Sequence, residues 1–342
     1  MRFFLFLLLT VPAWACTDFV VQATDKSSVV GRSMEFGLNL ESQVLIQPKN
    51  TLMQSRVFNG LAGMKWRVQY AYIGMTALGQ DWLVDGMNEA GLSIGALWFP
   101  GSDYPKVDES IPQKTIALED LGDWILSSFE TIDEVKKAIH DVQVWPHDLP
   151  KLNSIPPLHL SLHDAQGNSA AIEFLDGKLM FFDNPVGVLT NAPKLEWHLT
   201  NLPNYINLSA MQKEKASFDG LVLHPPGQGF GMLGVPGDWT PPSRFVRIAT
   251  FKNFANTPKN AQENVTLALH LLNTVDIPYG AVRNVDKEHY DYTQWIVVKD
   301  LSNGDLYYRT YRDLDVYRIN LQEELRKGRN TQRKLPVYGA GS

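Results

Sequence analysis

The stretch that decides the fold is CTDFVVQATDKSSVVGRSME, residues 16–35. Two runs of strand-forming residues flank a short polar turn, a pattern typical of a β-hairpin. We expect its strands at Thr17–Ala23 and Ser28–Met34. Arg32 and Glu35 lie at the end of this hairpin, and a cysteine opens it.

Outward from the hairpin, groups of strands are expected at both ends of the chain, with helices between them. Further strands are expected at Gln43–Gln47, Tyr70–Met75, Trp82–Met87, Leu92–Trp98, His159–His163, Ala170–Leu175, Lys178–Phe182, Val188–Asn191, Gln294–Lys299, Leu306–Tyr311 and Asp315–Leu321. Helices are expected at Leu118–Phe129, from a capping box at Thr131 through His140, and at Ser243–Phe254 and Ala261–Thr274. This order predicts an α+β fold with antiparallel sheets.

Two segments are expected to lack regular structure. Residues 49–69 are poorly patterned, and residues 224–242 are rich in Gly and Pro. A basic tail with Arg326, Lys327, Arg329, Arg333 and Lys334 is expected to be a solvated end or an oligomer contact. Without an internal repeat or a dividing linker, residues 16–342 are expected to form one domain.

The composition excludes several classes of protein. Of 342 residues, 44% are hydrophobic and 20% are charged, with a formal net charge of -6. This acidic balance argues against a nucleic-acid partner, which would need a basic face. No internal stretch approaches the ~18 apolar residues of a membrane span. A single cysteine excludes an intramolecular disulfide.

Residues 1–15, MRFFLFLLLTVPAWA, have the layout of a cleavable signal peptide. Arg2 is followed by an apolar run too short for a membrane anchor, and Ala13 and Ala15 precede Cys16 at the positions for cleavage. We therefore expect a periplasmic or secreted protein that begins at Cys16. A lipoprotein signal, or cleavage at another bond, remains an alternative.

A mature chain that opens with Cys16 suggests catalysis. Its thiol and its free α-amino group then belong to one residue, and an amine with a pKa near ~8 can accept the thiol proton. Nucleophile and base on one residue need no separate histidine. The alternative is an inert buried thiol, or one that links two chains.

Other patterns carry less chemistry. His159 and His163 share one face of a strand, but a third zinc ligand is not evident. The glycines between residues 227 and 234 lack the Lys-Ser/Thr ending of a phosphate loop. We therefore expect no metal and no organic cofactor.

Several segments in order resemble the choloylglycine hydrolase family of N-terminal nucleophile hydrolases, which includes penicillin V acylases and conjugated bile salt hydrolases. The resemblance covers roughly residues 16–311 and implies an αββα sandwich and often a homotetramer. The matching segments are Cys16-Thr17, Gly31-Arg32, residues 88–92 (NEAGL), 189–191 (LTN), 201–205 (NLPNY), 234–238 (GVPGD) and 242–245 (PSRF).

The resemblance also implies roles for individual residues. Cys16 would be nucleophile and base, and Arg32 would favour its thiolate. Asn191 would support the oxyanion, and Arg244 would complete the polar network. Glu35 stands where the family often has Asp, so its longer arm would reach the Cys16 amine differently.

Trp98 stands where bile salt hydrolases tend to carry Asn and Gram-positive penicillin V acylases Tyr, and it resembles the Gram-negative members. An indole has no amide donor of Asn geometry, although the backbone N–H at this position can still serve the oxyanion. The ring would instead form an apolar wall for the acyl group.

The implied activity is hydrolysis of a linear carboxamide that joins an apolar acyl group to a polar amine. We rank a phenoxyacetyl penicillin first, an N-acyl homoserine lactone second and a conjugated bile salt third. The alternative is a non-catalytic binding protein on the same fold, which the unusual Glu35 and Trp98 would permit.

Overall fold

Two large antiparallel β-sheets form the centre of the described chain, residues 15–58, 60–283, 290–328 and 331–337 of a computed structural model. Strands and helices are numbered along the chain. The first sheet contains β1 (Ala15–Gln22), β2 (Ser28–Phe36), β14 (Val188–Leu189), β17 (Val282–Arg283), β18 (Tyr290–Asp300), β19 (Asp305–Thr310) and β20 (Tyr317–Asn320). Apart from Ala15, the predicted signal peptide lies outside the described residues.

The second sheet has eight strands among the described residues. They are β3 (Gln43–Gln47), β6 (Tyr72–Ala77), β7 (Trp82–Asn88), β8 (Ser93–Trp98), β11 (Leu158–His163), β12 (Ser169–Leu175), β13 (Lys178–Asp183) and β21 (Arg333–Pro336). Their order is β13-β12-β11-β8-β7-β6-β3-β21, and that of the first sheet is β14-β1-β2-β18-β19-β20 with β17 beside β18. The two sheets are stacked, and the central strands of one sheet face the central strands of the other across the interior.

Helices cover the outer faces of the two sheets. The helices are α1 (Leu121–Ser128), α2 (Ile132–Ala138), α3 (Leu195–Asn201), α4 (Pro241–Phe254), α5 (Ala261–Asn273) and α6 (Leu321–Lys327). Helices α4 and α5 pack on the first sheet, and α1 packs on β7 and β8 of the second. This α/β/β/α layering confirms the predicted α+β sandwich.

The core lies between the sheets and beneath the helices. Every residue of β2, β6, β7, β8 and β11 is buried, because these strands are covered on both faces. Burial of one large apolar side chain contributes roughly 1.5–3 kcal/mol. The few charged residues in these strands therefore sit in an apolar setting and require partners.

The predicted strands and helices are present with ends shifted by a few residues, but the irregular structure expected for residues 49–69 is wrong, and two elements of the basic tail were not predicted. Residues 49–69 contain the hairpin β4 (Leu52–Val57) and β5 (Leu61–Arg67). The tail contains α6, and β21 pairs with β3 at the sheet edge. Half-exposed strands of mixed polarity lack the apolar run on which the prediction relied.

Three shorter elements were not predicted. Helix α3 lies between residues 191 and 205, and two small sheets join β9 (Thr115–Ala117) to β10 (Gln143–Trp145) and β15 (Ala216–Phe218) to β16 (Leu221–Leu223). Helix α4 begins at Pro241, inside the predicted loop 224–242. Proline fits the first turn of a helix, so its presence did not exclude one.

Candidate active site

The register of the first hairpin places the cysteine and the arginine on one face. Cys16 lies opposite Met34, and Asp18 lies opposite Arg32. Because side chains alternate along a strand, these four share the face that looks toward the second sheet. The guanidinium confirms this direction, since it donates to carbonyl oxygens of β7 and β8.

The Cys16 sulfur is fully buried among three groups. It lies 3.8 Å from Arg32 Nη2 and 3.7 Å from Met34 Sδ, and the backbone N–H of Trp98 donates to it. Burial raises the pKa of the thiol, and this effect outweighs the Arg32 guanidinium, which lowers it. Burial thus opposes formation of the thiolate that the family resemblance implies. Attack on a substrate therefore requires a group that accepts the thiol proton.

Asn191 reaches the cysteine from β14. In the β1–β14 pairing Asp18 lies opposite Leu189, so two residues further on Asn191 stands beside Cys16. Its Oδ1 accepts from the Cys16 nitrogen at 2.7 Å, and its Nδ2 donates to the Trp98 carbonyl oxygen at 2.8 Å. An amide nitrogen carries two hydrogens, so one more N–H is available to an oxyanion.

Arg244 joins these groups from helix α4. Its Nη2 donates to Asn191 Oδ1 at 2.7 Å, and its Nη1 donates to the Cys16 carbonyl oxygen and to Thr17 Oγ1. Its Nε donates to the Trp239 carbonyl oxygen at 2.9 Å. The guanidinium therefore fixes the backbone of the nucleophile relative to Asn191.

Glu35 occupies the opposite face of the hairpin. It lies opposite Ala15 in the register, and its Oε1 accepts from Thr293 Oγ1 at 2.8 Å. Burial raises the pKa of its carboxyl group to about 7, although nearby Arg244 opposes the rise. In the described chain the Cys16 nitrogen bonds Asn191, so a contact between Glu35 and that nitrogen stays a prediction.

This burial makes a prediction for stability. In the chain that still carries residues 1–15, raising the pKa of Glu35 from 4.5 to about 7 disfavours folding by about 3 kcal/mol above pH 7. The folded state binds the additional proton, so this cost develops as pH rises from 4.5 to 7 and is absent below 4.5. Glu35→Gln should abolish it, and the free energy of unfolding from urea titrations at pH 4.5 and pH 8 measures the difference.

The exposed Glu214→Gln variant is the matched control and should track the parent at both pH values. If Glu35→Gln gained no stability relative to the parent between pH 4.5 and pH 8, the raised pKa would be wrong.

Trp98 contributes its backbone to the site. Its N–H faces the sulfur and its carbonyl oxygen orients Asn191. The indole is only 1% exposed. In the described chain the ring is therefore covered, and its role as an acyl-pocket wall stays a prediction.

Sequence reasoning missed the charged residues behind Arg32. Asp85 contacts both Arg32 and Lys299, while Asp18 contacts His163 at 2.6 Å. All five side chains are fully buried. One signal was present in the sequence: Asp18, Asp85 and Lys299 each interrupt an apolar strand, where a charge requires a partner.

The histidine pair on β11 does not form a metal site within the part of the chain that the structure describes. His159 lies between Glu173 Oε1 and the Thr190 carbonyl oxygen, whereas His163 contacts Asp18 and Ser161. His159 thus supports the segment that carries Asn191.

Among the described residues, none of the helices has the length and apolar character that a membrane span requires.

Comparison with known proteins agrees with this geometry. Residues 16–332 match the profile of the "linear amide C-N hydrolases, choloylglycine hydrolase family". A bile salt hydrolase/transferase of Clostridium perfringens is 33% identical over 90% of this chain and 93% of its own length. A penicillin V acylase of Pectobacterium atrosepticum is 23% identical over 90% and 81%.

Solved structures give the same result. A variant of the conjugated bile acid hydrolase from Clostridium perfringens superposes with a TM-score of 0.83 at 29% identity, covering 94% of this chain and 97% of that one. A penicillin V acylase from Agrobacterium tumefaciens shares the fold, with a TM-score of 0.77 at 23% identity and coverage of 94% and 91%. The stacked sheets, the ordered motifs and the family match together show that this chain belongs to the choloylglycine hydrolase family, whose members are hydrolases of linear amide C–N bonds.

Proposed function

We propose that the protein hydrolyses its amide substrate with Cys16 as nucleophile and the α-amine of the same residue as general base. One observation carries the proposal: the three functional parts of Cys16 are held by three different residues. Its nitrogen contacts Asn191, its carbonyl oxygen Arg244 and its sulfur Arg32.

Removal of Ala15 converts the Cys16 amide nitrogen into an amine. An amine with a pKa near ~8 is mostly protonated at pH 7 and about half free base near pH ~8, so its free-base fraction can act as general base around neutral pH. Its hydrogens can still bond Asn191 Oδ1, while its lone pair accepts the thiol proton. Burial keeps the thiol neutral until that transfer, so base and nucleophile act together.

The sulfur then attacks the substrate carbonyl carbon, and the carbonyl π electrons move to oxygen. In this proposal the remaining N–H of Asn191 holds the oxyanion, and the contact of its Nδ2 with the Trp98 carbonyl oxygen supports this role. Collapse breaks the C–N bond, and the Cys16 ammonium gives its proton to the departing amine. The acyl group remains as a thioester on Cys16.

Water completes the cycle. The neutral Cys16 amine accepts a proton from the attacking water molecule, and the C–S bond breaks to release the carboxylic acid. The thiol regains its proton. Arg244 keeps Asn191 and Cys16 in register throughout both steps.

Export and cleavage after Ala15 are part of this proposal. The family match begins at Cys16, which supports a mature chain that starts there. The signal-like residues 1–15 support a periplasmic or secreted location. An unmodified amine is required, so lipidation of Cys16 is incompatible with the mechanism.

We propose a substrate with an apolar acyl group and a polar amine, and a phenoxyacetyl penicillin is the first candidate. The sequence around Trp98 and the similarity to a penicillin V acylase support it. N-acyl homoserine lactones share this layout and are the second candidate. Conjugated bile salts are the third candidate, and they are supported by bile salt hydrolase/transferases that are 33% and 32% identical to this chain.

A panel experiment tests the substrate class. The exported protein is incubated separately with phenoxymethylpenicillin, an N-acyl homoserine lactone and a glycine-conjugated bile salt, and the released primary amine is quantified against the Cys16→Ala variant. We expect release from the penicillin at the highest kcat/KM. Release from the bile salt alone would transfer the assignment to the conjugated bile salts, and no release from any of the three would contradict this substrate class.

We also propose a homo-oligomer. The arm formed by β15 and β16 exposes Phe218, Leu221 and Val222, which are 68%, 64% and 49% accessible. Adjacent exposed apolar side chains are typical of an association surface. Sedimentation velocity should show a tetramer, and a monomer at micromolar concentration would refute this part of the proposal.

A further inference from the structure

A cluster of charged side chains lies between the two sheets, directly behind the proposed nucleophile. We define the interior charge cluster as Asp18, Arg32, Asp85, His163 and Lys299, and all of these side chains are fully buried. They come from β1, β2, β7, β11 and β18. The stacked sheets therefore bring two permanent cations and two carboxylates together in an apolar interior.

Besides donating to the Val84 and Ala96 carbonyl oxygens, the Arg32 guanidinium contacts two groups that can carry negative charge, the Cys16 sulfur and the Asp85 carboxylate. Its Nη2 lies 3.8 Å from the Cys16 sulfur, and its Nη1 lies 3.4 Å from Asp85 Oδ2. Burial disfavours the charge on Arg32, but Cys16 and then Asp85 outweigh it and raise the pKa of the guanidinium. The sulfur and the carboxylate thus compete for one cation.

Lys299 contacts the same carboxylate oxygen. Its Nζ donates to Asp85 Oδ2 at 2.7 Å, closer than Arg32 Nη1, and to the Ile94 carbonyl oxygen at 3.3 Å. It lies 4.0 Å from Asp18 Oδ2. The ammonium is therefore the main partner of Asp85, and Arg32 is the secondary one.

We propose that Lys299 is a positioning residue, which occupies Asp85 and so leaves the Arg32 guanidinium free to face the Cys16 sulfur. This inference rests on the proposed function, because the sulfur matters as the nucleophile. Without Lys299, Asp85 would draw Arg32 toward itself and away from the thiol. Without Asp85, Arg32 would lose its competing partner.

The fold separates Lys299 from the sulfur, which favours an effect through Arg32. Lys299 lies opposite Val30 on β2, whereas Cys16 lies opposite Met34. Four residues along a strand correspond to about 13 Å. Arg32 lies between these two positions and contacts both the sulfur and Asp85.

The other charged groups near the cluster stay constant in the test. Glu35 of β2 raises the pKa of the Cys16 thiol and Arg244 of α4 lowers it. His163 faces Asp18 from β11. None of these three residues is changed in the variants, so their contributions to the thiol pKa cancel when the variants are compared.

The test uses the only cysteine of the chain as its reporter. The exported protein is labelled with carbon-13 at the cysteine Cβ, and the apparent thiol pKa is followed by NMR in the parent, Lys299→Met, Asp85→Asn and the double variant. The pair of single variants is then repeated in an Arg32→Met background. The pH dependence of amide hydrolysis is recorded beside each titration.

We expect Lys299→Met to raise the apparent pKa by about one unit, Asp85→Asn to lower it, and the double variant to return near the parent. In the Arg32→Met background both single shifts should shrink several-fold. Shifts that survive unchanged there would overturn the proposal, as would shifts of the same sign in both variants. A purely structural role would lower the melting temperature without opposite shifts.

If Lys299→Met does not fold, Asp85→Asn in the two backgrounds decides alone, because disruption cannot account for a lowered pKa that depends on Arg32. Failure of the proposed function is separable from failure of this inference. If the thiol titrated as expected but amide hydrolysis did not depend on Cys16, only the proposed function would be refuted.

Discussion

Cys16→Ala should reduce amide hydrolysis by about 10⁴-fold or more, because loss of the attacking atom removes the covalent route. Cys16→Ser should retain the amine and the hydrogen-bond network but lose at least about 10³-fold, since a hydroxyl gives up its proton far less readily than a thiol. Rates of amine release from the best substrate of the panel measure both effects. Full activity in Cys16→Ser would count decisively against the mechanism.

Both variants need a control for folding. The thiol is fully buried and contacts Met34 Sδ, so truncation is expected to have a small packing cost. Met34→Leu, which changes the same contact without touching the nucleophile, is the matched control and should keep most of the activity. If Met34→Leu were as inactive as Cys16→Ala, packing and not chemistry would explain the loss.

A chain that begins at Ala15 should be about 10²- to 10⁴-fold less active than one that begins at Cys16, because its nitrogen at Cys16 is an amide and cannot serve as general base. The sulfur, Arg32 and Asn191 are all present in that chain as well. Steady-state kinetics of the two purified forms give the comparison. Equal rates would eliminate the amine as base.

The additional residue also occupies space, so the experiment requires a second readout. Ala15 pairs with Glu35 at the end of β1. Treatment with an aminopeptidase that removes Ala15 should restore activity to the level of the Cys16 form. A chain that begins at Cys16 but carries an acetylated amine should stay inactive, and this form separates loss of the base from obstruction by Ala15.

The sequence was most informative where apolar strands and capping residues form local patterns. The hairpin of residues 16–35 was predicted because its strands are continuous, and the helix after Thr131 because its capping box is a local signal, present in the structure as well. The hairpin β4–β5 and the strand β21 were missed. Burial alternates along β4 and β21, but the polarity of their sequences, LMQSRV and RKLP, does not. Strand β21 also pairs with β3, which is far away in the chain.

The residues of the site were predictable from the sequence, but the contacts between them were not. The family resemblance indicated Cys16, Arg32, Asn191 and Arg244, and the structure brings these four together. The contacts of Lys299 with Asp85 were not predictable, because they depend on the order of strands from both sheets. The same holds for Glu35 and Trp98. Their positions in the sequence did not reveal on which face of the hairpin Glu35 lies, or that Trp98 contacts the site through its backbone atoms.

The electrostatics of the site explain why the nucleophile depends on its own amine. Burial, with a smaller contribution from Glu35, raises the pKa of Cys16, and the guanidinium groups of Arg32 and Arg244 do not reverse that rise. A thiol held neutral in this way is protected from spontaneous reaction. Catalysis then requires a base that reaches the sulfur, and the described residues around it supply hydrogen-bond donors and cations instead.

The central claim is that the acyl group passes through the sulfur of a chain-opening Cys16. Acid quenching of the exported enzyme during turnover, followed by peptic digestion at acid pH and mass spectrometry, tests it directly. We expect the substrate acyl mass on the peptide that begins at Cys16, and transfer of the acyl group from the sulfur to the free amine of Cys16 at neutral pH, after which the thiol of that peptide reacts with iodoacetamide. An acyl group on another peptide, or an active enzyme whose first residue is not an unmodified Cys16, would contradict the account.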